Sequence, residues 1–139
     1  MYKIIIDTNL WISYLIGKKL RNLKDLFFNK NVSIVTCQEL IEEFVDVSSR
    51  TYISKYVEKQ DILEALDLIR EFAVQVPLKE VSIFGLKDSD DLFLFALADT
   101  VGANFILTGD KGLWALKSYN GTEIVSYSEF MARLDGLDM

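Results

Sequence analysis

The sequence has 139 residues, 50% of them hydrophobic, 26% charged and 12% aromatic. That is one globular domain's worth of chain, able to fold without disulfides or a structural metal. Cys37 is the single cysteine and there is no histidine, which excludes an intrachain disulfide framework, His-ligated zinc, Ser-His-Asp triads and a histidine general base. The net charge of −6 excludes a basic DNA-coating protein, but not a nucleic-acid substrate if several acids are committed to a cation.

Ile4-Ile5-Ile6 reads as a short strand buried on both faces, halted by Asp7-Thr8-Asn9. It is too short for a signal-peptide core, and no apolar run approaches the roughly 18 residues of a membrane span, so the expected location is cytoplasmic. Residues 10–16 and 20–30 read as helices, separated by a Gly17-Lys18-Lys19 loop, and Val32 to Val35 as a second strand. Thr36 to Glu39 matches a capping box, with Thr36 as N-cap, opening a helix that carries Leu40, Ile41, Phe44 and Val45 on one face. Ile62, Ala65, Leu66, Ile69 and Phe72 mark a helix over 58–72, and Val74 to Val76 a strand closed by Pro77. An irregular connection over 79–88 leads to a helix opened by Asp88-Ser89-Asp90-Asp91 and capped by Gly102. Asn104 to Leu107 is a further strand, 111–117 a turn or short helix, Glu123 to Val125 a last strand, and Ser126 to Glu129 a second capping box. Strands alternating with helices indicate an α/β domain, residues 1–139, with a parallel sheet covered on both faces.

Ligand sites in such sheets lie beyond the carboxyl ends of the strands. Asp7 and Asp110 fall there, and the helix starts at Glu39 and at Asp88, Asp90 and Asp91 open onto the same edge. Carboxylates gathered on one edge repel unless a cation neutralises them, and an all-oxygen set suits Mg²⁺ or Mn²⁺. Such a cation lowers the pKa of water and shields a phosphate, chemistry that needs no histidine. Taken singly, each of these acids is equally explained as a helix cap or a turn residue. Phe93, Phe95 and Leu97 read as core. Trp11, Tyr14, Trp114 and Tyr119 are candidates for base stacking, with core or interface packing as the competing explanation.

The order Ile4-Ile5-Ile6-Asp7-Thr8-Asn9, then Glu39-Leu40-Ile41-Glu42-Glu43-Phe44, then Asp91 ahead of Ala96-Leu97-Ala98, then Leu107-Thr108-Gly109-Asp110-Lys111 resembles the PIN-domain family over nearly the whole chain. The resemblance implies a three-layer α/β/α fold around an approximately five-stranded parallel sheet, and a ribonuclease dependent on Mg²⁺ or Mn²⁺. Its four acids would be Asp7, Glu43, Asp91 and Asp110, with Glu42 and Asp90 as the neighbouring alternatives for the second and third. Thr8, Asn9, Asp88 and Thr108 would support them. Apart from the resemblance, Lys18, Lys19, Arg21 and Lys24 form the densest basic cluster and, with Lys111, are candidates to hold the RNA backbone, a solvated helix end being the competing explanation for each. Small members of this kind resemble the toxin halves of bacterial toxin–antitoxin pairs, which implies a small antitoxin partner and a homodimer. The rival expectation is a catalytically silent PIN-like module that docks a protein or RNA. A dehalogenase-like phosphatase would need an acid where Asn9 stands, and a response-regulator receiver an acidic neighbour beside Asp7.

Overall fold

A computed structural model describes residues 1–78 and 89–137. The expected connection over 79–88 lies outside the described residues. The chain runs β1 (Tyr2–Ile6), α1 (Thr8–Ile16), α2 (Leu20–Phe27), β2 (Val32–Thr36), α3 (Gln38–Ser48), α4 (Thr51–Ser54), α5 (Lys59–Phe72), β3 (Val74–Gln75), α6 (Ser89–Val101), β4 (Phe105–Leu107), α7 (Lys111–Leu116), β5 (Ser118–Tyr119), β6 (Thr122–Val125) and α8 (Tyr127–Leu137). The strands order as β3-β2-β1-β4-β6-β5. The first five of these are parallel, and β5 alone pairs antiparallel, on β6.

The pleat sends alternate residues of β1 to opposite faces. Ile4 and Ile6 join Leu10, Trp11, Leu23, Phe44, Ile69 and Phe130 in one apolar layer, under helices α1, α2, α3, α5 and α8. Ile5 joins Leu94, Phe95, Leu97 and Ile106 in the other, chiefly under α6. Both faces of the sheet are therefore covered, as expected for an α/β/α sandwich. Among the described residues, no helix is long and apolar enough to cross a membrane.

The strand order turns around between β1 and β4. From β1 the chain steps to β2 and then β3 on one side, and α6 carries it back to β4 on the other. The crevice beyond the carboxyl ends of β1 and β4 is thus the topological switch point, where open α/β sheets bind ligands.

Several local expectations change. The Thr36 capping box does not form: Thr36 remains in β2, in register with Gln75, and Cys37 takes the N-cap position of α3 without a side-chain bond. Strand pairing holds the Thr36 backbone extended and moves the helix start one residue on. The second box forms its forward half, Ser126 Oγ accepting from Glu129 N at 3.1 Å. Val45 is 42% exposed, because Leu40, Ile41, Phe44 and Ser48 take the inward face of α3. Phe72 is also exposed and pairs edge-on with exposed Phe28, at the end of the face that Ala65 and Ile69 bury. The β5–β6 hairpin was not expected; Asn120 and Gly121, with φ values of 47° and 87°, make its two-residue turn. Gly102 closes α6 at φ +62°, as its C-cap role requires.

Candidate active site

Asp7 follows β1 directly. Its amide donates to Leu107 O at 2.9 Å, so the residue is still clamped to β4, while its carbonyl accepts from Leu10 and Trp11 as α1 begins. Its side chain makes no cap hydrogen bond to that helix. Instead it is buried, 6% exposed, and accepts from Thr108 Oγ1 at 2.7 Å. Burial raises the Asp7 pKa above the ordinary 3.8, and the Asp110 charge pushes the same way, while Thr108 and the nearby Asn9 and Thr8 amides pull it partly back.

Thr108 is fully buried between the two acids. Its hydroxyl donates to Asp7 and accepts from Asp110 N at 3.0 Å. Its amide bonds Val125 O, and its carbonyl accepts from Trp114 Nε1 at 2.8 Å. Asp110 is the N-cap of α7, with Oδ1 accepting from Gly112 N at 2.8 Å. Capping and site membership therefore coincide at Asp110.

A cleft of about 570 Å³ opens at this point. Asp7, Glu43, Asp46 and Asp110 line it with Asn9, Arg50 and Tyr52, and Ile12, Ile16, Val47 and Ile53 supply apolar wall. Glu43 projects from α3 half-buried, whereas Glu42 is exposed and accepts from Gln38 Nε2 at 3.3 Å on the same helix. If Glu43 is the working acid, Glu43→Gln lowers any activity of this cleft at least ten-fold and Glu42→Gln changes it less than two-fold; parallel rate assays on the two variants decide. Asp91 lies in the first turn of α6, which packs against β1 and α3; its side chain and that of Asp90, and the whole of Asp88, lie outside the described residues. Thr8 is buried at the α1 start and lines a small apolar cavity with Ile6, Trp11 and Ile34; it does not line the acidic cleft.

The expected basic track stands elsewhere. Lys18, Arg21 and Lys24 line a separate groove opposite Glu58, Asp61 and Glu64, with Lys24 Nζ 3.5 Å from Glu64. Lys19 lies 6.0 Å over the Tyr14 ring, and Lys111 is exposed at the start of α7. Of the stacking candidates, Trp11 packs between Phe27 and Phe44 in the core, Tyr14 faces Tyr127, and Tyr119 packs on Phe95. Trp114 braces Thr108. Arg50 and Tyr52 were not singled out from the sequence. The signal was present: Glu43, Asp46, Val47 and Arg50 are spaced i, i+3, i+4, i+7, one helical face, and all four line the cleft.

The donor set tests whether a cation fits. Every candidate ligand is oxygen, and a buried carboxylate beside a second one lacks a counter-charge, which favours Mg²⁺ or Mn²⁺. Among the described residues no three acids form a ready-made ion cage. An ion held here would take Asp7 and Asp110 as its described ligands.

An acidic cleft lies at the switch point of a parallel α/β/α sheet, and the sequence matches the family model described as PIN domain over residues 3–112. The chain belongs to the PIN-domain family, whose members are generally nucleases working with divalent metals. The crystal structure of PAE2754 from Pyrobaculum aerophilum is similar, with TM-score 0.60, 13% identity, and coverage of 97% of this chain and 98% of that one. At that identity the likeness bears on the fold alone. No curated protein matches the sequence.

Proposed function

We propose that the protein is an endoribonuclease dependent on Mg²⁺ or Mn²⁺, hydrolysing RNA phosphodiester bonds in the cleft between β1 and β4. The observation that carries this reading is Thr108, whose hydroxyl donates to the Asp7 carboxylate and accepts from the Asp110 backbone amide, bringing two acids to one cleft although Asp7 is buried and the Asp110 charge opposes its ionised form. Asp7 and Asp110 would hold the cation, with Glu43 and Asp91 completing the set directly or through water. When bound, the cation supplies a water of lowered pKa and shields the phosphate charge. The chain's own part is positioning. Thr108 fixes one oxygen of Asp7, Gly112 fixes one oxygen of Asp110, and Trp114 fixes the Thr108 peptide. The groups around the reacting phosphate are thereby set before substrate arrives.

The toxin role, a small antitoxin partner, a homodimeric assembly and a cytoplasmic setting belong to the same proposal, supported by family membership and by the resemblance in size and motif wording. Incubation of end-labelled single-stranded RNAs with Mg²⁺, Mn²⁺ or EDTA, beside Asp7→Asn and Asp110→Asn proteins of confirmed fold, tests the activity. The expected result is cutting that EDTA stops and both substitutions abolish. Cutting that survives both substitutions would refute the proposed site.

A further inference from the structure

The cleft has a rim as well as an acidic floor, and its described lining contains a single cation, Arg50. Arg50 stands at the corner between α3 and α4. Its amide bonds Val47 O at 3.2 Å, and its carbonyl accepts from Ile53 and Ser54 at 3.0 and 2.9 Å, which fixes the backbone. The side chain lies at the surface, with Nη2 donating to Asp46 Oδ2 at 3.1 Å and Nη1 to the Tyr52 hydroxyl at 3.3 Å. Those bonds use two of five guanidinium donors, so three remain for a ligand. The exposed i, i+4 pair with Asp46 adds little stability, so Arg50 is not needed there to hold the fold. Tyr52 leaves 59% of its surface to solvent, and its hydroxyl is tethered to the guanidinium.

A polyanion approaching this cleft meets Asp7, Glu43, Asp46 and Asp110, and Arg50 is the cationic foothold among them. The guanidinium fork matches a phosphate, and an exposed aromatic ring beside it matches the face of an unpaired base. The groove of Lys18, Arg21 and Lys24 is less suited, because Glu58, Asp61 and Glu64 oppose its charge. We infer that Arg50 and Tyr52 form a nucleotide clamp at the cleft rim, the guanidinium taking a backbone phosphate and the Tyr52 ring an unpaired base. The choice of RNA as occupant rests on the nuclease reading.

Anisotropy of a fluorescein-labelled oligouridylate, titrated with the Asp7→Asn protein in Mg²⁺ over a salt series, tests the clamp. Arg50→Ala should weaken binding about ten-fold and flatten the log–log salt slope by about 0.7, the value of one single-strand phosphate contact. Arg50→Lys should restore the slope but only part of the affinity, lacking the fork. Tyr52→Ala should weaken binding about ten-fold at unchanged slope, while Tyr52→Phe, which keeps the ring, stays within about two-fold. Annealing the strand to oligoadenylate should erase the Tyr52 effect. Unchanged binding in both alanine variants, or no binding by the parent, overturns the clamp. Cutting of the same strand with otherwise wild-type chains separates the two ideas. Metal-dependent cutting indifferent to Arg50→Ala and Tyr52→Ala sinks the clamp and keeps the nuclease. Clamp-dependent binding without any cutting sinks the nuclease and keeps the clamp.

Discussion

Asp7→Asn should remove the activity and stabilise the metal-free protein at the same time. The wild-type carboxylate is buried, and both its desolvation and the neighbouring Asp110 charge oppose its ionised form. An asparagine has nearly the same shape, and its carbonyl can still accept the Thr108 hydroxyl. Its amide group carries no charge, so the desolvation penalty and the repulsion from Asp110 are both removed. The melting temperature without metal should therefore rise by on the order of 2–5 °C, the shift that about 1 kcal/mol produces in a domain of this size. RNA cleavage should fall by roughly three orders of magnitude, the scale of losing a principal electrostatic group. Calorimetry and a cleavage assay on one preparation check both halves. A lowered melting temperature would mean that Asp7 is a structural acid.

The pH dependence of that difference follows from the sign of the shift. The folded pKa of Asp7 lies above its unfolded value, so its favourable contribution is complete below pH 3.8 and is lost as pH rises through the raised folded value. The wild-type and Asp7→Asn melting temperatures should converge near pH 4 and separate toward pH 7. Glu123 shifts the other way, lowered by the Arg133 hydrogen bond, but it is common to both proteins and cancels in the comparison. Mg²⁺ or Mn²⁺ should raise the wild-type melting temperature and narrow the gap, because an ion bound only to the folded state stabilises it by mass action.

The first strand and the acids at the sheet edge were legible because β-branched runs and strand-end positions are local patterns. What local pattern does not carry is burial. Asp7 reads equally well as an N-cap, and its actual role depends on Thr108, 101 residues away, arriving beside it on β4. The Thr36 capping box failed for the same reason: its local signal was outweighed by pairing with Gln75 on the next strand. Trp114 read as a candidate for base stacking from its aromatic side chain alone, yet its indole N–H is spent on the Thr108 carbonyl. Arg50 lies at a corner between two helices, the second of four residues, which is too short to announce itself by periodicity. The helical spacing from Glu43 was the signal that could have found it.

Thr108→Val should be the most damaging conservative change in the site. Valine replaces threonine with little change of shape, and the position is fully buried, so steric effects are small. Two hydrogen bonds disappear together. Asp7 Oδ2 loses its donor at 2.7 Å, and the Asp110 amide loses its acceptor at 3.0 Å. A buried carboxylate deprived of a donor and an amide left unpaired together cost about 2–4 kcal/mol, which lowers the melting temperature by about 10 °C. The lost bond was one that pulled the Asp7 pKa down, so the variant's stability should also fall more steeply than wild type as pH rises from 4 to 7. Activity should drop about 10- to 100-fold, as for other residues that orient a ligand without touching the ion. Thr108→Ser is the control. It keeps the hydroxyl and loses one methyl, so it should cost about 1 kcal/mol and retain most of the rate. A loss confined to Ser would show that the methyl, and thus packing in the buried site, governs the position. A loss confined to Val assigns the effect to the hydroxyl that joins the two acids.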